Sequence, residues 1–297
     1  MQMTRWAEGF IAVDWGTTNR RAYLIGEDGS CGREFEDGRG ILSVGRGEFE
    51  AAVREVRERL GEKPMLLAGM VGSNRGWIEA PYVPCPASMD QLVAKLVRPG
   101  DREAIVPGVC DDLKDRADVM RGEEVQLLGG VAAGLVDPDT LVCHPGTHNK
   151  WVTLRRGKIE SFRTVMTGEL FSILKEHSIL ADLLGGKVAL GEAFSAGVQL
   201  GLSSQDLPAE LFTVRARVLL GKAKKEDAAS FASGLLIGTD VRIGLSYPTS
   251  AQITVVGKPE LTGLYAAAIH DAGRPVCEVD GERCFIAGAA RIAEALS

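Results

Sequence analysis

One local pattern limits this chain more than any other, and it occurs twice, roughly half a chain apart. An apolar strand runs into a short turn with Gly and Thr, and a second strand leaves the turn. The first copy is Phe10-Ile11-Ala12-Val13, then Asp14-Trp15-Gly16-Thr17-Thr18-Asn19-Arg20, then a strand from Arg21 to Ile25. The second is Thr140-Leu141-Val142-Cys143, then His144-Pro145-Gly146-Thr147-His148-Asn149-Lys150, then Trp151 to Leu154. Short apolar runs bounded by turn residues read as buried strands. Gly16 has no Cβ, so a ligand can approach its backbone. Thr17 and Thr18 offer donors suited to phosphate oxygens. Asp14 at a strand end suits hydrated Mg²⁺, which takes one or two carboxylates plus phosphate. Taken singly, each turn is also explained as a solvated surface turn, since Asp and Gly are ordinary turn residues.

A third piece, Ile253 to Tyr265, reads as a strand, a turn at Gly257 and a helix. In order and spacing, the three pieces resemble the phosphate-1, phosphate-2 and adenosine motifs of the sugar kinase, actin and heat-shock chaperone superfamily. More narrowly, Gly69–Pro86, Arg121–Gly129, His144–Val152 and Thr167–Leu170 resemble the 2-dehydro-3-deoxygalactonokinase family, over nearly the whole chain. The resemblance implies an α/β fold of two ribonuclease-H-like (actin-like ATPase) domains, with mixed sheets flanked by helices and ATP in a central cleft.

At 297 residues the chain can bury one large core or two ordinary ones. A net charge of −6, with no basic run, argues against a nucleic-acid partner. An anionic substrate must then be met by local Arg, Lys or Mg²⁺. The six cysteines are scattered without a CxxC pair, so neither a zinc ribbon nor a disulfide framework is expected. No apolar run is long enough to span a bilayer and the first residues do not read as a signal peptide, so a cytoplasmic protein with no membrane partner is expected.

Along the chain, a third strand is expected at Cys31–Glu36, a helix at Glu48–Leu60 and a strand at Met65–Ala68. Gly69 to Pro86 is rich in Gly and Pro and carries Trp77 and Tyr82. It is either a structural excursion whose aromatics cover the sheet or a ligand loop on a rigid scaffold. A short helix is expected at Met89–Val97, a strand at Ala104–Val109 and a helix from Arg121 to Leu135. The crossover at Asp137-Pro138-Asp139 suggests domains 1–135 and 136–297. The second half should hold strands 140–145, 150–156 and 158–165, then helices at 168–184, 189–202, 208–220 and 225–245. Last come the strand 253–256, a helix 261–271, a strand 276–279 and a helix 285–295. His177 falls in the apolar pattern of helix 168–184 and is expected to pack rather than catalyse.

Rival chemistries lack their signatures. Lys follows Gly four times, never with Ser or Thr next, so there is no P-loop. There is no GxGxxG after a strand and no Gly-x-Ser-x-Gly elbow. His144 and His148 are four apart, but Pro145-Gly146 between them forbids the helix that would pair them on a metal.

The resemblance implies an ATP-dependent kinase acting on the 6-OH of 2-dehydro-3-deoxy-D-galactonate, with ATP and Mg²⁺ as cofactors. The partners are the sugar acid, ATP and at most a second copy of the chain as a homodimer. Asp14 would hold Mg²⁺; Gly16, Thr17, Thr18 and Arg21 would meet phosphates, with Gly146, Thr147 and Lys150 from the second domain. Gly257, with Leu261 and Leu264 as apolar neighbours, would take adenine and ribose. Ser73, Asn74, Arg75, Trp77, Tyr82 and Arg121 would take the sugar acid. Glu123 would be the general base, a Glu where the glycerol and xylulose kinase pattern Gly-Asp-Gln has Asp. Glu123 and Glu124 also suit a helix start through the macrodipole alone. Two other readings remain open: a kinase for another sugar acid, sugar or polyol, and a non-catalytic nucleotide-binding regulatory module.

Overall fold

A computed structural model describes residues 6–113, 116–247 and 252–296. The elements in chain order are β1 (Phe10–Trp15), β2 (Arg20–Ile25), β3 (Cys31–Asp37), α1 (Phe49–Leu60), β4 (Met65–Gly69), β5 (Tyr82–Pro84), α2 (Met89–Ala94), β6 (Val97–Gly100), β7 (Glu103–Ile105), β8 (Gly108–Leu113), β9 (Arg116–Met120) and α3 (Glu123–Ala132). Then follow β10 (Leu141–His144), β11 (Asn149–Arg155), β12 (Lys158–Val165), α4 (Thr167–His177), α5 (Ala181–Leu184), α6 (Glu192–Ser203), α7 (Leu207–Leu219), α8 (Ala228–Gly244), β13 (Ile253–Gly257), α9 (Pro259–Asp271), β14 (Val276–Asp280) and α10 (Gly281–Glu294).

The chain divides into two compact units. Unit 1 is Met1–Asp139 with Leu154–Ser161 and Gly281–Ser297; unit 2 is Thr140–Thr153 with Phe162–Asp280. The sequence boundary at 135/136 instead runs all of 136–297 together. Two contacts explain the difference. Ile159 bridges to Ala87, which ties 154–161 to unit 1. Helix α10 packs on α3 at glycines: a Cβ on Gly129 would lie 2.2 Å from the Cys284 carbonyl oxygen, and one on Gly288 would lie 2.2 Å from that of Val125. Only bare backbones can approach so closely.

Unit 1 is built on a mixed sheet in the order β3-β2-β1-β4-β7-β6, with β5-β8-β9 as a second small sheet. β1 is antiparallel to β2 and parallel to β4, so Asp14 stands opposite Arg21 on one side and Ala68 on the other. Central β1 and β4 are almost wholly apolar because both their faces are covered. One core cluster joins Ile11, Val13, Trp15 and Leu67 to Val53 and Val56 of α1, and Trp77 packs against it.

Unit 2 repeats the plan with the order β12-β11-β10-β13-β14, β10 being antiparallel to β11 and parallel to β13. Its core gathers Leu141, Trp151, Phe194, Val198, Val241 and Tyr265. Helix α8 is buried nearly throughout, and a Cβ on Gly197 of α6 would fall 2.1 Å from the Phe231 carbonyl oxygen. Among the described residues, no helix is long and apolar enough to cross a membrane.

Several sequence expectations need correction. The single strand expected at 104–109 is two, because Val106-Pro107 breaks the ladder between β7 and β8. The helix expected to reach Val97 stops at Ala94, and Val97 opens β6. Helix 168–184 is two helices separated at Ser178, whose hydroxyl donates to Leu174 O and accepts from Leu180 N–H. His177 does not pack: its side chain is 73 % exposed, beside Glu176. Leu170 and Ile173 of the same helix are also exposed. Strands β5, β6 and β9 were not expected.

Candidate active site

In unit 1 the parallel strands β1 and β4 end side by side at Asp14-Trp15 and Ala68-Gly69. The start of α3 arrives at the same place. Gly122, at φ 113, would place a Cβ 3.2 Å from Gly69 Cα and 3.9 Å from Asp14 Oδ1. Gly69, at φ 88, would place one 2.7 Å from the Trp15 carbonyl oxygen. Both positions need glycine for backbone angle and for space. So the Asp14 carboxylate and the Glu123-Glu124 helix start belong to one corner.

The charges there are organised. Arg21 Nη1 pairs with Asp14 Oδ2 at 3.4 Å, and its Nε lies 3.2 Å from Glu36. Burial works against the Arg21 charge, but Asp14 and Glu36 outweigh it and hold its pKa above the ordinary value. Glu124 is fully buried and its two oxygens accept the Gly122 N–H at 2.9 and 2.7 Å. Burial, helped by the neighbouring Glu123 charge, pushes Glu124 up to about 8. Glu123 is half-buried and accepts the Arg121 N–H at 3.1 Å. Of the two adjacent acids, then, Glu124 is sealed and Glu123 keeps access to solvent.

The first turn is pinned from behind. Gly40, Ile41 and Leu42 donate their N–H groups to the carbonyls of Thr18, Gly16 and Thr17. With those carbonyls engaged, the turn shows Thr17 and Thr18 outward, both exposed.

Segment 69–86 closes around Arg121. The Arg121 Nη2 donates to Ala80 O at 2.8 Å, and the guanidinium stacks 4.4 Å from the Tyr82 ring centroid. Its Nε and Nη1 are buried and make no hydrogen bond among the described residues. The other candidates of this segment divide. Asn74, Arg75 and Tyr82 are exposed. Ser73 is buried and donates to Met70 O, so its hydroxyl proton is spent on the loop. Trp77 serves the core.

In unit 2, Gly146 is half-buried and Thr147 exposed. The turn leans on the start of α4. A Cβ on Gly168 would lie 2.6 Å from Gly146 O, the Glu169 N–H donates to Thr147 O, and His148 Nε2 meets Glu169 at 2.6 Å. The third motif is adjacent, since a Cβ on Gly257 would sit 3.8 Å from Pro145 Cδ and 3.4 Å from Thr262 Cγ2. Leu261 is 41 % exposed and Leu264 packs on the core. Lys150 is buried, its ammonium donating to His148 O inside the same turn.

One group escaped the sequence reading. Asp240 of α8 is fully buried and accepts hydrogen bonds from Asn149, Trp151, Thr167 and Tyr265. Burial raises its pKa, while the four donors oppose the rise. The only sequence signal was an acid in the otherwise uncharged stretch Ala228–Val241.

Two units of one plan, each with a Gly-Thr turn between the first two strands of its sheet, define an actin-like ATPase fold. A solved structure shares that fold: the (R)-2-hydroxyglutaryl-CoA dehydratase component A of Acidaminococcus fermentans superposes with a TM-score of 0.54 at 13% identity, over 97% of this chain and 98% of that one. The family is narrower. The model of the 2-keto-3-deoxy-galactonokinase family matches residues 14–292, and the chain belongs to that family. The 2-dehydro-3-deoxygalactonokinase of Escherichia coli K12 is 39% identical over 97% of this chain and 98% of its own. The crystal structure of a candidate 2-dehydro-3-deoxygalactonokinase from Sinorhizobium meliloti superposes with a TM-score of 0.89 at 34% identity, over 96% of this chain and 98% of that one.

Proposed function

We propose that the chain transfers the γ-phosphoryl group of ATP to the 6-OH of 2-dehydro-3-deoxy-D-galactonate. Family membership supports the reaction class, and the observation that carries the site is the corner where Asp14, Gly69, Gly122 and Glu123 meet. In the transfer, the acceptor oxygen forms a bond to the γ-phosphorus, the bond to the ADP leaving oxygen breaks, and the acceptor proton goes to a base. Such transfers need positioning and charge neutralisation more than covalent help.

Each residue then has a task. Glu123, the accessible acid of the pair, takes the hydroxyl proton. Arg21 orients Asp14 from the adjacent strand. Thr17 and Thr18, and Gly146 and Thr147, are assigned to phosphate oxygens, and Gly257 to the nucleoside. Lys150 tightens its own turn rather than reaching for phosphate directly. Arg121, stacked on Tyr82, and exposed Arg75 and Asn74 are assigned to the sugar acid. Buried guanidinium nitrogens without partners are costly, and an incoming carboxylate is the group that offsets the cost. The Asp14 carboxylate beside Gly69 and Gly122 fits Mg²⁺, which keeps waters and leans on phosphate. Asp14 would hold it, and the ion would supply neutralisation of phosphate charge. The cytosol is the proposed compartment.

Glu123→Gln tests this assignment. Gln keeps shape and hydrogen bonding but cannot take the proton, so turnover should fall by roughly 10²–10⁴-fold. Acceptor binding, followed by calorimetry with a non-hydrolysable ATP analogue, should change much less. Wild-type turnover in the Gln variant would show that Glu123 is not the base; wild-type turnover in Glu124→Gln as well would remove the base from α3.

A further inference from the structure

We propose that Asp240 is the positioning residue of the second Gly-Thr turn, holding it in the shape that takes nucleotide phosphate. This rests on the reading of that turn given above. Asp240 lies on α8, away from the turn in sequence, but its partners are the three pieces that enclose the turn. Asn149, the residue just past the turn, donates to both carboxylate oxygens at 3.0 and 2.9 Å. Trp151 Nε1, two residues further along β11, donates at 2.8 Å. Thr167 donates from the start of α4, and the next residue, Gly168, is the one on which Gly146 and Thr147 rest. Tyr265 donates at 2.6 Å from α9, the helix that follows Gly257.

A fully buried carboxylate is a poor device for stability alone. An apolar side chain of similar volume often does as well, because ion desolvation offsets much of the gain. What the carboxylate adds is direction. Its two oxygens accept from four donors on three elements and so fix them in one arrangement. Those donors are buried and do not themselves face the turn's outer surface; they fix the starts of β11 and α4 and tie the middle of α9 to them. Displacing α4 would move Gly168 against Gly146 and Thr147, since the two backbones already touch.

The test measures ADP binding by calorimetry without acceptor, together with the KM values for ATP and for the sugar acid. Thr167→Val and Tyr265→Phe each remove one donor, leave the turn intact and avoid the risk that Asp240→Asn fails to fold. Folding is checked by circular dichroism and Tm. Either variant should bind ADP roughly tenfold more weakly, as expected for loss of one buried hydrogen bond. The ATP KM should rise, the acceptor KM should stay, and Thr167→Ser should restore ADP affinity. Folded Thr167→Val and Tyr265→Phe proteins that bind ADP as the wild type does, with only a lowered Tm, would overturn the inference. A wild-type protein that does not bind ADP would instead overturn the reading of the turn on which it rests.

Discussion

At the scale of single residues, two neighbouring acids on α3 have separate fates because of where the helix places them. Adjacent helical positions point about 100° apart, so Glu124 turns into the core while Glu123 stays in reach of solvent. Burial of Glu124 has a consequence for stability. Its folded pKa, about 8, lies above the ordinary 4.5, so the folded chain holds this proton more tightly than the unfolded chain. That contribution is complete below about pH 4.5 and is lost as pH rises through about 8. Urea unfolding across this window should therefore show falling stability in the wild type. Glu124→Gln, which keeps an oxygen for the Gly122 N–H, should lose this part of the slope. Parallel curves for the two proteins would contradict the burial argument. Sequence alone could not separate these acids, since both satisfy the helix dipole; only the packing of α3 does.

At the scale of elements, both strand–turn–strand pieces were legible because apolar runs and turn residues alternate cleanly there. The observed β1, β2, β10 and β11 lie within two residues of the expected strands. What was not legible depended on contacts distant in sequence. Hairpin β8–β9 carries Asp111, Asp112 and Asp118, of which Asp111 is buried and Asp118 half-buried, so polar residues stand where a strand pattern would show apolar ones. The apolar stripe of α4 predicted burial for His177, yet Leu170 and Ile173 are exposed along with it. Asp240 could not be assigned, because its four donors lie on other elements. The wedge between α4 and the second turn makes its own prediction. Gly168→Ala would drive a methyl group into Gly146 O and Thr147 Cα. Overpacking against backbone should cost about 1–3 kcal/mol and displace the turn. Thermal unfolding should show the loss, and steady-state kinetics should show a several-fold rise in the KM for ATP. An unchanged KM despite the lost stability would separate the turn from nucleotide binding.

At the scale of the molecule, the chain carries a net charge of −6 and yet is assigned an acidic substrate. The field of the whole protein does not attract such a ligand, so local cations must. Arg121 is one of them, held by Ala80 and Tyr82, with two buried nitrogens that make no hydrogen bond among the described residues. The fold class and the broad chemistry followed from the order of three motifs over the whole length. Unit membership did not, because the packing of α10 on α3 depends on Gly129 and Gly288, which read individually as ordinary small residues in helices.

If this chain phosphorylates a sugar acid, the acid group itself should be recognised. Coupled ADP release is the direct measurement, with 2-dehydro-3-deoxy-D-galactonate and with an analogue of the same length that lacks the carboxylate. Losing the partner of a buried guanidinium leaves donors unpaired, and discrimination on that basis reaches roughly 10⁴–10⁵-fold in kcat/KM for sites built to pair polar groups. ADP release should be rapid and depend on the sugar acid, and should fall by at least about a hundredfold with the analogue. Equal rates with both acceptors, or ADP release indifferent to the sugar acid, would contradict it.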